Sequence, residues 1–165
     1  MKHTIGVVMD NKPGVLSRIS TLLARKGFNI DSITAGPTSN HDVTRMTVVV
    51  EGDDYVADQA AKEMDKLEDV LKIERLADNE TTRREIILIK IKADKTSRGE
   101  IVDLAKIMGC SMVDVSHTTI MLEHSDRPER IDLLVDMLTG YDIVDMARGG
   151  TIALEKGSAD DRQSN

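Results

Sequence analysis

The stretch DNKPGVLSRI, residues 10–19, joins the first apolar run of the chain to a helical pattern. Residues 3–9, just before it, have the apolar character of a β-strand. After it, apolar residues recur from Val15 at the spacing of one helix face until Gly27 ends the pattern. The Pro-Gly pair between them marks a turn. The chain therefore begins with a strand, a rigid turn and a helix.

Four further segments complete a first unit of about 75 residues. They read as strand, strand, helix and strand, over residues 28–35, 43–50, 53–67 and 70–76. The order βαββαβ is that of a ferredoxin-like unit. Alternation within the third strand predicts that the face carrying Arg45, Thr47 and Val49 is wetter than the other.

The same order of elements occurs a second time after the polar stretch at residues 78–82. Strands are expected at residues 86–91, 112–115, 119–122 and 143–154, the last interrupted at 149–150, with helices around 101–108 and 131–138. We predict an α+β protein with two ferredoxin-like βαββαβ units in tandem. The expected domains are residues 1–77 and 84–156, followed by a disordered tail at 157–165, which is small and polar.

Composition limits the partners and the compartment. The net charge of -7 argues against nucleic acid and anionic membranes, which bind clustered Lys and Arg. The predicted central strands also lack the aromatic residues on which RNA-recognition modules stack bases. The single cysteine suits a reducing compartment, and no apolar run is long enough for a membrane span or a signal peptide. We therefore expect a cytoplasmic protein.

Candidate catalytic and metal-binding residues are scattered. The four histidines have no cysteine or carboxylate neighbours at the spacing of a zinc site, and we expect no bound metal. Cys110 stands at the start of an apolar strand, where a small core residue is expected more often than a reactive thiol. No nucleophile with its base and no nucleotide-binding loop is recognisable, so we predict no catalytic residues.

The turn at residues 10–19 is the one candidate binding site. Pro13 fixes the backbone at the helix entrance and Gly14 has no side chain, which would leave the amides of Val15 and Leu16 open to a carboxylate. The side chain of Asn11 could donate and accept hydrogen bonds to a zwitterion. The alternative is structural: Asn11 caps the helix and the Pro-Gly pair only turns the chain.

Several longer motifs resemble a known family. DNKPGVLSRISTLLARKGFNIDSITAGPT from residue 10, REIILIKI from residue 84 and SRGEIVDLA from residue 97 resemble the small regulatory subunit of acetohydroxyacid synthase, also called acetolactate synthase. The resemblance covers residues 1 to about 157, and it identifies the first unit as an ACT domain.

The resemblance implies a non-catalytic subunit in branched-chain amino acid biosynthesis. It would activate a large catalytic subunit and make that enzyme sensitive to feedback inhibition by valine or a related amino acid. The catalytic subunit would use thiamine diphosphate, Mg and FAD, and this chain would bind no cofactor. A free-standing tandem ACT regulator of another pathway is the alternative.

The resemblance also implies where the effector binds. In this family two N-terminal ACT units pair side by side into a homodimer, and the effector lies at their interface. By this analogy the effector-binding residues comprise one group from the turn and helix start and one group from the second strand of the partner subunit. They are Asn11, Gly14, Val15 and Leu16 in the first group, and Asn29 and Ile30 in the second.

Overall fold

A computed structural model describes residues 1–157 of the chain. The predicted disordered tail at residues 157–165 lies outside the described residues, except for Gly157. The chain divides into two compact units, one formed by Met1–Arg83 with the segment that starts at Thr151, and one formed by Arg84–Gly150.

The first unit has the predicted order of elements. It contains β1 (Lys2–Asp10), α1 (Val15–Arg25), β2 (Asn29–Pro37), β3 (Val43–Glu51), α2 (Asp54–Asp65) and β4 (Val70–Leu76). The strands form an antiparallel sheet in the order β2-β3-β1-β4, so that β2 is an edge strand. Both helices pack on one face of this sheet, because their buried residues share a core cluster with those of β1 and β3.

Helix α1 shows why this packing holds. Its buried residues, Val15, Ile19 and Leu23, are spaced by four and therefore lie on one side of the helix. They meet Ile5, Val7 and Met9 of β1, which alternate along the strand and so point to one face of the sheet. The helical and strand periods read from the sequence are thus both confirmed.

The second unit repeats this architecture. It contains most of β5 (Thr81–Lys92), then α3 (Arg98–Met108), β6 (Ser111–Val115), β7 (Thr119–Asp126), α4 (Pro128–Met137) and β8 (Ile143–Arg148). Its strand order β6-β7-β5-β8 matches that of the first sheet, with the first strand of the unit again central. The core consists of aliphatic residues from both helices and the two central strands. The prediction of two tandem βαββαβ units is confirmed.

The C-terminal strand differs from the sequence-based assignment. We assigned residues up to 156 to the second domain, but β9 (Ile152–Glu155) belongs to the first compact unit. It pairs with β5, which starts in the first unit, and it lies against β1, β3 and β4. The amide of Lys156 also donates to the carbonyl oxygen of Glu80 at 2.7 Å. The Gly-Gly pair at 149–150 therefore separates two units instead of interrupting one strand.

Strand β9 also affects the solvation of β3. Thr47 and Val49 point away from the helices, yet each is only 4% exposed. Both lie on the sheet that β9 packs against. The expected difference in solvation between the two faces is therefore small at these two residues, because alternation within one strand carries no information about a distant segment that covers it.

Candidate functional site

The turn between β1 and α1 is built around Gly14. This residue has φ of 89°, in the left-handed region that favours glycine, and it stands directly before the first helical residue. A β-carbon built on it would meet no atom within 4 Å. The backbone of the turn is therefore accessible from outside the first unit.

Two amides at the start of α1 have no acceptor within residues 1–157. The amide of Val15 makes a long hydrogen bond of 3.4 Å to the carbonyl oxygen of Lys12, and the amide of Arg18 donates to Gly14 at 2.9 Å. Between them, the amides of Leu16 and Ser17 are open, and the helix has neither a side-chain cap nor an acidic residue in its first turn. Open amides and the helix dipole together favour an anionic group at this position.

The charged side chains around the turn are paired with one another. Lys12 binds Asp10 at 2.5 Å, and this hydrogen bond raises the pKa of the Lys12 amine. Arg18 binds Asp69 at 2.8 Å. Because each cation faces a carboxylate, the partial positive charge of the helix start is the main attraction for an anion here.

Asn11 does not cap α1, contrary to the structural alternative. Its amide donates to the carbonyl oxygen of Asp42, and its side-chain Nδ2 donates to the carbonyl oxygen of His41, both at 2.8 Å. These bonds tie the turn to the loop between β2 and β3. Since a carbonyl oxygen can only accept, the bond to His41 fixes the orientation of the Asn11 amide and leaves its Oδ1 as an available acceptor.

The side chains of Val15 and Leu16 face in opposite directions. Val15 is buried in the core of the first unit, so only its backbone could face a ligand. The side chain of Leu16 is 43% exposed and supplies an apolar surface beside the open amides. The turn thus combines amide donors that can bind a carboxylate with a small apolar surface.

The remaining two predicted site residues lie at the other end of the sheet. Asn29 begins β2 and pairs with Glu51, whereas Asn11 follows the end of β1, where Asp10 pairs with Val43. The two ends are separated by the length of β3, roughly 27 Å at the rise of an antiparallel strand. Within one chain the structure does not bring the two groups together.

Asn29 and Ile30 point to opposite faces of the sheet. The Nδ2 of Asn29 donates to Oε2 of Glu51 at 2.5 Å on the face away from the helices. Ile30 is half-buried and packs against the core. Asn29 therefore offers a polar group at the edge, and Ile30 offers part of an apolar side chain.

Groups that could carry catalysis are not assembled elsewhere in the described part of the chain. Residues 1–157 contain no cluster of three His, Cys, Asp or Glu side chains suited to a metal ion. Burial raises the pKa of the Cys110 thiol, which disfavours the thiolate that a nucleophile needs. No helix within residues 1–157 has the length and apolar character required to span a bilayer.

Two protein-family models match the chain. Residues 5–72 match the AHAS small subunit-like ACT domain, and residues 84–157 match the small subunit of acetolactate synthase. The probable acetolactate synthase small subunit of Archaeoglobus fulgidus is 40% identical over 96% of this chain and 99% of its own length. The chain belongs to the acetolactate synthase small-subunit family. The family model for residues 5–72 also confirms the expected ACT domain.

Other members of the acetolactate synthase small-subunit family agree with this assignment. The acetolactate synthase small subunit of Mycolicibacterium smegmatis is 37% identical over 94% of this chain and 91% of its own length. The crystal structure of the small subunit from Thermotoga maritima superposes with a TM-score of 0.89 at 29% identity, covering 96% of this chain and 99% of that one. The resemblance read from the sequence is thus confirmed along nearly the whole chain.

Sequence reasoning missed three groups in the neighbourhood of the candidate site. The open amide of Ser17 could have been found by counting the unbonded amides of a helix start. The carbonyl oxygen of His41 and the carboxylate of Glu51, which hold the two Asn side chains, are 30 and 22 residues away from their partners. No local sequence signal indicates pairs of this separation.

Proposed function

We propose that this chain is the regulatory subunit of acetolactate synthase. It activates the catalytic large subunit in branched-chain amino acid biosynthesis and makes it sensitive to feedback inhibition by valine. Family membership supports this function over a free-standing regulator of another pathway, because the match includes both the ACT unit and the second unit. The chain acts without catalytic residues of its own.

The observation that carries the proposal is the open start of α1. The amides of Leu16 and Ser17 lack acceptors within residues 1–157 and stand beside Gly14, which has no side chain. The carboxylate of an amino acid would accept from these amides, and the exposed side chain of Leu16 would contact a short branched side chain. Valine fits such a site because its side chain is small and apolar.

A homodimer through the ACT units would complete the site. In the described structure β2 is paired only with β3, so its other edge can accept a second strand. Antiparallel pairing of two β2 strands about a two-fold axis places the start of one beside the end of the other. Because the end of β2 leads into the loop that holds Asn11, Asn29 of a second copy would approach the turn.

Thiamine diphosphate, Mg and FAD belong, in this proposal, to the catalytic large subunit and not to this chain. Activation then requires contact between the two subunits in the cytoplasm. The effector changes the activity of the complex through that contact, so that binding and catalysis reside on different chains.

Reconstitution with the catalytic subunit of the same organism tests this function. We expect the purified chain to raise acetolactate formation from pyruvate and valine to lower it again. Leucine and isoleucine serve as comparison ligands, and thermal melting of the isolated chain reports binding directly. Absence of activation, or absence of any response to all three amino acids at millimolar concentration, would contradict the proposal.

A further inference from the structure

The hydrogen bond between Asn29 and Glu51 fixes the direction of a side-chain amide. A carboxylate has no proton to donate, so Nδ2 of Asn29 must face Oε2 of Glu51, which lies 2.5 Å away. Rotation of the amide by half a turn would bring two oxygen atoms into contact. Because the oxygen and nitrogen of the amide lie in one plane on opposite sides of the Cβ–Cγ bond axis, Oδ1 of Asn29 is directed away from Glu51.

The same arrangement occurs at Asn11. Its Nδ2 donates to the carbonyl oxygen of His41 at 2.8 Å, and its Oδ1 is the acceptor that is left. Both asparagines of the proposed effector site therefore have one N–H bound to a group that can only accept, which fixes the direction of the carbonyl oxygen. Each one presents a carbonyl oxygen, which suits an ammonium group and repels a carboxylate.

From these two contacts we infer that Glu51 is a positioning residue for effector selectivity. It holds Asn29 so that Oδ1 accepts from the α-ammonium group of the effector, while the amides at the start of α1 bind the carboxylate. This inference rests on the proposed function and adds the chemical group that is recognised. The site would then distinguish valine from the 2-oxo acid with the same carbon skeleton, which carries an acceptor where valine carries a donor.

The decisive experiment is isothermal titration of the full-length protein with L-valine and with 3-methyl-2-oxobutanoate. In Glu51→Gln the side chain can both donate and accept, so the direction of the Asn29 amide is no longer imposed. We expect the affinity for L-valine to fall about tenfold, as for the loss of a hydrogen bond to a charged group, whereas the affinity for the 2-oxo acid does not fall. Purely structural damage to the site would lower the affinities for both ligands equally.

Asp31→Asn is the matched control. It removes the same charge two residues from Asn29, and Asp31 pairs with Lys2 at 2.7 Å without contacting the amide of Asn29. We expect this variant to keep the affinity for L-valine within about twofold, since exposed charges are screened. An equal loss in Asp31→Asn and Glu51→Gln would overturn the inference in favour of a general effect of negative charge.

A double variant in which donor and acceptor are exchanged between positions 29 and 51 tests the role of Glu51 with L-valine alone. It is informative even where the 2-oxo acid binds too weakly to measure. In the double variant Asn29→Asp with Glu51→Gln, the glutamine donates to one oxygen of the aspartate, and the other oxygen still accepts from ammonium. We expect this variant to bind L-valine more tightly than Glu51→Gln alone. Failure of this recovery would overturn the role of Glu51.

The failure of the inference differs from the failure of the proposed function. If the unaltered protein binds none of the branched amino acids, the proposed function is wrong. If it binds L-valine and Asn29→Leu or Glu51→Gln leaves that affinity unchanged, effector sensing stands and the positioning role is wrong. Circular dichroism melting of each variant establishes that the chain is folded during the titration.

Discussion

The two units have the same topology, but their first helices begin in different ways. In the first unit, α1 starts after Gly14 with two amides that have no acceptor within residues 1–157. In the second unit, Oδ1 of Asp94 accepts the amides of Thr96 and Ser97 at 2.9 and 2.8 Å. The turn before the first helix is thus held by its own carboxylate in the second unit, whereas the first unit has no such carboxylate.

The starts of the other three helices within residues 1–157 carry negative charge. The side chain of Asp53 accepts from the amide of Val56 at the start of α2, and α2, α3 and α4 each carry an acidic residue in the first turn. Helix α1 has neither feature. An acid at a helix start stabilises the fold, and α1 is the one helix within residues 1–157 whose first turn lacks an acid. The amides of Gly99 and Glu100 in α3 are also open, but Glu100 supplies the negative charge there.

The largest expected effect concerns a feature that the two units share. Each has an arginine on its last strand that reaches its second helix: Arg75 binds Asp54 and Asp58, and Arg148 binds Asp132 and Glu85. Glu85 is only 6% exposed, and so Arg148→Met would leave a buried carboxylate without this partner. We expect a loss of about 3 kcal/mol in the free energy of unfolding, measured with urea at neutral pH.

Arg75→Met is the matched change in the first unit. Its partners Asp54 and Asp58 are exposed, and water can solvate them once the arginine is gone. We therefore expect a clearly smaller loss of stability than in Arg148→Met. Equal losses would show that burial of Glu85 does not decide the strength of this contact.

The second prediction closes the open turn of the first unit. Gly14→Asp places a carboxylate where the carboxylate of the effector is proposed to bind. Two like charges placed next to each other in a binding site cost several kcal/mol of binding free energy. We expect the affinity for valine, measured by titration, to fall more than about a hundredfold. Activation of the catalytic subunit should persist, because the change leaves the core of the unit intact.

Gly14→Asn is the control for this change. Any residue other than glycine is strained at φ of 89°, and Asn and Asp are among the residues that tolerate this region best. We expect both variants to lose similar stability, whereas Asn should weaken valine binding much less than Asp. If the two variants bind valine equally, strain and not charge controls the site.

The fold was largely readable from the sequence because its signals are local. The helix stripe through Ile19 and Leu23, and the alternation through Ile5 and Val7, depend on neighbours within one element. The start of β5 lies at Thr81, five residues before the predicted Ile86, because residues 81–85 are all polar or charged, including the buried Thr81 and Glu85, and show no apolar alternation. The partner of β9 was missed because the two strands are distant in sequence.

The candidate site was readable only in part for the same reason. Gly14 and Pro13 mark an unusual helix start in the sequence itself. The tether from Asn11 to His41 and the pair of Asn29 with Glu51 depend on strand register, which a single sequence does not give. The proposal that two chains share the site came from family resemblance and stays a prediction.

The third prediction concerns the turn before α3, which Asp94 holds, and its stability in acid. Hydrogen bonds from the Ser97 amide, and from Thr96, hold the pKa of Asp94 well below its usual range. A carboxyl with a depressed folded-state pKa contributes stability above its unfolded-state pKa of about 3.9, and this contribution is lost as the pH falls further. We expect Asp94→Asn to be less stable than the unaltered chain at pH 6.

The difference between these two proteins should narrow as the pH is lowered from about 5 to 3, because Asp94 then takes up a proton in the unfolded chain and stabilises the unfolded state. The difference in free energy of unfolding is measured by urea unfolding at several pH values, with far-ultraviolet circular dichroism as the signal. Parallel pH curves would show that the carboxylate charge of Asp94 does not stabilise the start of α3.

The smallest expected effect comes from giving α1 the acid that the other helices have. Ser17 is exposed in the first turn, and Ser17→Glu adds a negative charge beside the open amides. We expect the free energy of unfolding to rise by about 0.5 kcal/mol, while the affinity for valine falls several-fold because the new carboxylate competes with that of the ligand. Glu100→Ser in α3 is the reverse change and should lower stability without altering valine affinity. A gain in stability with unchanged valine binding would mean that the open helix start is not where the effector carboxylate lies.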